Sequence, residues 1–298
     1  MNLAVDVSII IVNYNTCDIT KDCIDSVFEK TRGVSFEVIL VDNASTDGSK
    51  EFFECDKRVI YIYSPENLGF GKANNLGVDV SKGRNILFLN SDTLLQNDAI
   101  SLMAIHLDEN EDVGCVGGNL YSSKMQPAHS FLRFNPLGKE INELTGGLYS
   151  RLIFGKNIDH NHSTRPLIVK SVVGADMMIK RSVLSAVGGA FNPMFFMYCE
   201  ETELCHRIRN SGYLIKALSE PNIVHLEGAS FTDNQMLERM GMYRDSLRLY
   251  CSLHYNKFYT GIVGLIWKLT ICTRIIGYWC LNSPKKSFWI KVKNNCYR

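Results

Sequence analysis

Four residues of this chain combine a type and a setting that can do chemistry: Asp92, Asp42, Glu201 and His225. Asp92 closes the run Ile86-Leu87-Phe88-Leu89-Asn90-Ser91-Asp92, in which large apolar residues give way abruptly to an acid. Such a run reads as a buried strand of a parallel sheet, and open α/β sheets bind ligands beyond the carboxyl ends of their strands. A carboxylate placed there can hold a hard divalent cation and, through it, a diphosphate; the competing explanation is an aspartate that caps the following helix. Asp42 repeats the pattern at the end of Phe36–Val41. Glu201 lies at the start of a stretch, Glu200 to Ser211, with acids in front, arginines near the end and Gly212 beyond, the signature of a helix. It shares a face with Leu204, Cys205 and Ile208, so the spacing turns it inward, where a partly desolvated carboxylate suits a general base. A carboxylate satisfied by the helix amides is the alternative. Glu203 and Arg207 fit an i,i+4 pair in solvent. His225 ends the apolar run Ile223-Val224 shortly before Gly228, a setting equally suited to a structural histidine.

The elements that must position these residues follow from hydrophobic periodicity. Apolar runs at 7–12, 36–41, 59–62 and 86–89 alternate with helical spacings at 18–30, through Phe53, and at 71–80. This β-α alternation with short connections predicts an α/β fold, a mostly parallel sheet with helices on both faces. Asn13-Tyr14-Asn15, Asp42-Asn43 and Asn90-Ser91-Asp92 would then open on one rim. A helix at 98–107 and a strand at 113–117 come next. From Tyr121 to about Lys170 the pattern dissolves, which predicts a long irregular connection over the cleft with His129, His160 and His162 as solvated loop residues. The Gly69-Phe70-Gly71-Lys72 segment is neither a Walker loop nor a GxGxxG turn, which argues against a nucleotide kinase or dinucleotide enzyme.

Composition sets the frame. The 298 residues are 46% hydrophobic with a net charge of +1, the profile of one or two globular domains. That charge is unevenly spread: no acidic residue follows Asp245, whereas nine basic ones do. A tail of this kind is aimed at an anionic surface. Phe258–Leu281 is strongly apolar with Trp267 and Trp279, but Lys268 and Arg274 interrupt it, so a helix lying in a membrane interface is expected, with a homo-oligomer-forming helix as the alternative. Its tryptophan and isoleucine content favours lipid over nucleic acid as the partner. Ten cysteines without a CxxC pair read as reduced thiols of a cytosolic protein, and the acid at position 6 makes the first apolar run a strand and not a signal peptide.

Taken together, Val12-Asn13-Tyr14-Asn15, Val41-Asp42-Asn43-Ala44-Ser45-Thr46-Asp47-Gly48-Ser49, Asn67–Gly77, Leu89-Asn90-Ser91-Asp92, Gly174-Ala175-Asp176, Val187-Gly188-Gly189 and Glu200–Cys205 resemble, in order, the family 2 glycosyltransferases of GT-A fold, and within them the rhamnosyltransferase-like branch. The resemblance covers about residues 5 to 230. It implies a GT-A domain over 1–245, with a nucleotide-sugar half at 1–98 and an acceptor half at 99–245, followed by a basic membrane-associating tail at 246–298. It also implies inverting transfer of a sugar from a dTDP- or UDP-sugar to a lipid-linked or glycan hydroxyl in cell-surface polysaccharide synthesis, at the inner face of the cell membrane. By position, Asn13, Tyr14, Asn15, Asp42, Asn67, Asn74, Ser91 and Asp92 would bind the nucleotide-sugar. Asp92 and His225 would hold Mg²⁺ or Mn²⁺. Gly174, Ala175, Asp176 and Glu200 would line the acceptor side, and Glu201 would be the base. The chain departs from the family pattern in three places: Asn90 replaces the first acid of Asp-x-Asp, Glu201 replaces an aspartate, and Gly189-Ala190-Phe191-Asn192 replaces the common Gly-Phe-Asp order. A nucleotidyltransferase of similar topology would call for a basic Gly-rich motif at the first strand, which this sequence lacks, and a non-catalytic nucleotide-sugar-binding module is the other alternative.

Overall fold

The computed structural model describes residues 5–226, 233–283 and 285–296. The stretch after Leu226, including Gly228, lies outside the described residues. The chain divides into two compact units. The first comprises Met1–Arg133, Asp159–Phe196 and Glu200–Glu227; the second comprises Phe134–Ile158, Met197–Cys199 and Gly228–Arg298.

The first unit opens with the expected alternation: β1 (Val7–Asn13), α1 (Cys17–Lys30), β2 (Phe36–Asn43), α2 (Ser49–Phe53), β3 (Val59–Ser64), α3 (Phe70–Val80) and β4 (Asn85–Asn90). A short β5 (Thr93–Leu95), α4 (Ala99–Glu109) and β6 (Val113–Tyr121) follow. The segment predicted to be irregular instead holds β7 (Phe131–Leu132), α5 (Pro136–Leu144), α6 (Leu148–Phe154) and β8 (Leu167–Ile168), and β9 (Ser171–Val172) follows it. Then come β10 (Asp176–Lys180), α7 (Arg181–Ala186), α8 (Glu200–Asn210) and β11 (Leu214–His225). The second unit ends with α9 (Asp233–His254), α10 (Lys257–Cys280) and α11 (Lys285–Cys296).

The main sheet runs β3-β2-β1-β4-β10-β6-β11-β5, with β8 added on β11. Strands β3, β2, β1 and β4 are mutually parallel. β10 runs antiparallel to both β4 and β6, β11 is parallel to β6, and β5 is antiparallel to β11. The strand apolar runs are continuous because both faces are covered. Ile9, Ile11, Leu87 and Leu89 pack on one side with residues of α1 and α4 such as Ile24, Val27, Ile100 and Met103. Ile10, Ile39, Ile86 and Phe88 pack on the other with Ala73 of α3 and with Leu204 and Ile208 of α8. Helix α3 reaches the sheet closely because Gly77 has no side chain; a Cβ there would come 2.5 Å from Ile10 Cγ2.

The turn around Asn161 is held by amide side chains, which periodicity does not report. Asn119 Nδ2 donates to the Asn161 carbonyl at 2.9 Å, and the Asn161 N–H donates back to Asn119 Oδ1 at 3.0 Å. Asn161 Nδ2 also donates to the carbonyl of Ala217 on β11 at 2.9 Å. This corrects the reading of His160, which is 3% exposed with its ring against Tyr121 and His162. His162 is exposed as expected, and His129 stands half-exposed 3.7 Å from Asp159.

Candidate active site

Register alone brings three strand ends to one rim. Asn13 is level with Asp42, and Val12 with Asn90. The β1 end is held by hydroxyls: Asn13 Oδ1 accepts from Thr16 Oγ1 at 2.8 Å and from Thr20 Oγ1 at 2.9 Å, while Asn13 Nδ2 donates to Ser45 Oγ. Asn15 takes a positive φ of 55°, which turns its side chain onto the neighbouring loop, where its Oδ1 accepts from the Thr46 N–H at 2.7 Å. Asp42 has no exposed surface. Its Oδ1 accepts from the Ser45 N–H at 3.0 Å and its Oδ2 from the Tyr61 hydroxyl at 2.7 Å. Burial, aided by that carboxylate, pushes the Tyr61 hydroxyl well above its ordinary range. Asp42 thus shapes the 42–45 turn from beneath, and Tyr14 and Asn15 are the exposed groups at that corner.

Asn67 is exposed, and its Oδ1 accepts from Asn43 Nδ2 and from the Gly69 N–H, both at 2.9 Å. Gly69 has φ 77°, and a Cβ on it would overlap the Phe196 carbonyl, to which the Phe70 N–H donates at 2.9 Å. Asn74 is buried and donates to the Phe70 carbonyl within its own helix.

Asn90, Ser91 and Asp92 are half-buried at the end of β4. Ser91 Oγ lies 3.3 Å from Thr16 Oγ1. Asp92 Oδ1 is 3.2 Å from His225 Nε2, and Asn90 Nδ2 is 3.3 Å from the same nitrogen. The last strand holds this pairing in place, since the Leu226 N–H donates to the Asp92 carbonyl at 2.9 Å. The separation of carboxylate and imidazole is close to the ~3 Å between adjacent ligands that each sit about 2.1 Å from an octahedral cation. Among the described residues no cluster of three or more His, Cys, Asp or Glu is present. Hard cations commonly take one or two protein carboxylates and complete their shell with water and substrate phosphate; here the protein would offer one carboxylate oxygen and one imidazole nitrogen.

The acceptor-side segment meets the same rim. The Asn90 N–H donates to the Ala175 carbonyl at 3.0 Å. One residue upstream, a Cβ on Gly174 would lie 3.7 Å from Glu201 Cβ and 3.5 Å from the Phe70 ring. Glu201 is half-buried, and its Oε1 accepts from Thr202 Oγ1 at 3.0 Å. Glu200 is 5% exposed, with its Oε2 unpartnered. It stands behind Glu201 against Gly71 of α3, and burial together with the Glu201 charge holds its carboxyl well above the ordinary range. Asp176 is wholly buried on β10; its Oδ2 accepts from the Gly118 N–H at 2.6 Å, and burial raises it too.

Glu203 and Arg207 are not a solvent pair. Glu203 is 2% exposed, and Arg207 Nε contacts both of its carboxylate oxygens at 3.0 and 3.1 Å. The rest of the guanidinium donates to the carbonyls of Val187, Gly189 and Ala190. Asn75 grips the next residue through both its amide atoms, bonding the Phe191 carbonyl and N–H. Together they hold the loop where the sequence departs from Gly-Phe-Asp, and Phe191 packs against Phe70 and Phe88. The i,i+4 spacing pointed to the pair but not to its burial; nothing in the sequence marked Asn75, Tyr61 or Thr16.

Three strand ends on one rim, a carboxylate–imidazole pair at one of them and a half-buried glutamate near the neighbouring Gly174 make up the candidate site. The glycosyl transferase family 2 model matches residues 8–187, more than half of the chain, and the protein belongs to that family. The hexosyltransferase Agl10 of low-salt glycan biosynthesis in Haloferax volcanii is 29% identical over 225 residues, 74% of this chain and 67% of that protein. The chain spans about a quarter of other relatives: 26% of the uncharacterized protein y4gI of Sinorhizobium fredii, at 26% identity over 80% of this chain, and 22% of an uncharacterized glycosyltransferase of Rickettsia bellii, at 32% identity over 56% of this chain. Among solved structures, TarS residues 1–349 from S. aureus superposes with a TM-score of 0.58 at 15% identity, covering 96% of this chain and 78% of that one. That likeness establishes the GT-A-like fold.

Proposed function

We propose that the protein moves a sugar from a dTDP- or UDP-linked donor to a hydroxyl of a lipid-linked or glycan acceptor, with inversion at the anomeric carbon, in building a cell-surface polysaccharide. Rhamnose is the sugar suggested by the branch its motifs resemble, and the glycan biosynthesis in which Agl10 takes part supports the acceptor class. One observation carries the reading: Asn90 joins the Asp92–His225 pair on one side to the Gly174-Ala175 segment beside Glu201 on the other.

In the proposed reaction Tyr14 and Asn15 face the base and ribose, on a turn shaped by Asn13, Asp42 and Asn67. Asp92 and His225 would hold a Mg²⁺ or Mn²⁺ ion that neutralises charge developing on the leaving diphosphate. Glu201 takes the proton of the acceptor hydroxyl as that oxygen bonds to the anomeric carbon. The bond from that carbon to the diphosphate oxygen breaks, and its electron pair leaves with the nucleoside diphosphate. Glu200 beside this base, raised by burial and the Glu201 charge, gives up its proton less readily than an ordinary glutamate.

The basic tail would keep the enzyme on the cytoplasmic face of the membrane where a lipid-linked acceptor is found. Purified protein assayed against a panel of nucleotide-sugars, with and without Mn²⁺, tests the reading. Metal-dependent release of nucleoside diphosphate from a dTDP- or UDP-sugar is expected. Diphosphate released from a nucleoside triphosphate would instead mark a nucleotidyltransferase.

A further inference from the structure

Helix α10 is 24 residues long and apolar enough to cross a bilayer by length and composition, yet only 17% of its most apolar window is buried. Its burial is one-sided. Val263, Thr270 and Ile271 face the second unit's interior, and Arg274 is drawn inward by Glu143 at 2.6 Å and by the Trp289 ring at 4.7 Å. Phe258, Leu265, Leu269, Ile276 and Trp279 are between 47% and 78% exposed. At 100° per residue these five fall within a sector of about 80°, a stripe along most of the helix. Arg274, one of the two charges that break the apolar run in sequence, is therefore not on this stripe.

Beside the stripe lies a groove of about 720 Å³ between α9 and α10, lined by Arg244, Arg248, Lys268, Ser252, Thr260 and Gly264 among others. Gly261 and Leu265 line it as well, so groove and stripe share an edge. Arg244 is 4% exposed, stacked 4.2 Å over the Trp267 ring, and its buried Nε has no hydrogen-bond partner among the described residues. Gly264 leaves the guanidinium open to the groove, since a Cβ there would stop 3.6 Å from Arg244 Nη2. Near these cations lie Glu140, 3.5 Å from Arg244 and raised to about 7 by burial, and Asp245, 3.5 Å from Arg248 and largely exposed. A buried guanidinium with an unused donor and two further cations suit a phosphate oxygen cluster.

We propose that this groove holds the phosphate of an anionic membrane lipid while the α10 stripe lies in the bilayer interface. The inference rests on the membrane-surface part of the function proposed above. It names the lipid-facing side and the headgroup contact. The occupant is chosen on charge and surface together: a soluble phosphate would use the groove but not the adjoining apolar stripe, whereas a lipid uses both. No acidic residue follows Asp245 to repel an anionic bilayer.

The test uses the full chain with vesicles of phosphatidylcholine, alone or with about one-third phosphatidylglycerol, read by co-sedimentation. Wild type is expected to bind the anionic vesicles at least tenfold more tightly than the neutral ones. The double variant R248E/K268E, altered at surface positions and checked for an unchanged circular dichroism spectrum, is expected to lose that preference. L269S/I276S is expected to bind neither vesicle. An R248E/K268E variant that keeps the full preference overturns the groove assignment while leaving membrane attachment intact. Wild type that binds no vesicle removes the membrane reading itself. Inorganic pyrophosphate that raises the melting temperature through Arg248 and Lys268, with no such effect of anionic vesicles, assigns the groove to soluble phosphate and overturns the lipid proposal.

Discussion

Adjacent glutamates at the start of α8 should respond in opposite ways to the same isosteric change. Glu200 is buried, its Oε2 has no hydrogen-bond partner among the described residues, and burial with the Glu201 charge raises its carboxyl well above the ordinary range, so it keeps its proton to higher pH than an ordinary glutamate. Glu200→Gln replaces this carboxyl by a neutral amide of nearly the same shape, and transfer should fall by no more than about fivefold, or ~1 kcal/mol of barrier. Glu201→Gln removes the proton acceptor itself, and general-base loss is worth roughly 10²–10⁴ in rate, or about 3–5 kcal/mol. The two also part in stability. Glu200 keeps its proton when folded but loses it when unfolded above about pH 4.3, so the wild-type fold weakens as pH rises from there toward its folded value. Glutamine has no such linkage, and E200Q should gain on wild type by up to about 1.4 kcal/mol per pH unit across that window. Steady-state transfer with the active nucleotide-sugar, donor affinity by calorimetry, and urea unfolding at pH 5 and 7.5 measure all three. Equal loss of turnover in both variants, or a stability difference flat with pH, would refute the assignment of proton and charge.

Asp92→Ala should abolish metal-stimulated turnover and leave the residual rate insensitive to chelator; full activity in EDTA would remove the metal role. Arg207→Ala removes the guanidinium from the buried Glu203 carboxylate and from three loop carbonyls, a loss of about 3 kcal/mol that thermal unfolding should register; a shift near zero would show that the loop holds without the clamp. Gly69→Ala meets the Phe196 carbonyl at a positive φ and should destabilise the fold by ~1 kcal/mol or more with impaired donor binding, whereas wild-type behaviour in calorimetry and melting would argue against that close approach.

The parallel half of the sheet could be read from the chain because each strand is apolar on both faces and each helix is local. Strand ends carrying Asn13, Asp42 and Asp92 therefore reached one rim on sequence reasoning alone. The pairing of Asp92 with His225 was reached only through family resemblance, since no local pattern reports a contact across most of the domain. Inward-facing acids were harder. Helical spacing put Glu201 inside, but the structure buries Glu200 and Glu203 more deeply, because packing against Gly71 and the 187–190 loop decides burial at a helix start. His160 was misread for a related reason: the turn beside it is held by Asn119–Asn161 amide bonds, and periodicity detects apolar faces. In α10 the exposed stripe became visible only once Arg274 was seen to turn inward.

The distance along the chain between the two halves of the Asp92–His225 pair also has a consequence in time. Asn90, hydrogen-bonded to the same imidazole, lies 135 residues before it. At translation rates of about 5–20 residues per second, roughly 7–27 s pass between synthesis of the strand that ends near Asp92 and synthesis of its partner. A nascent chain thus carries the strand ends at Asn13 and Asp42 well before it can complete the carboxylate–imidazole pair. Any chain truncated ahead of β11 lacks that pair, however well its first four strands have formed.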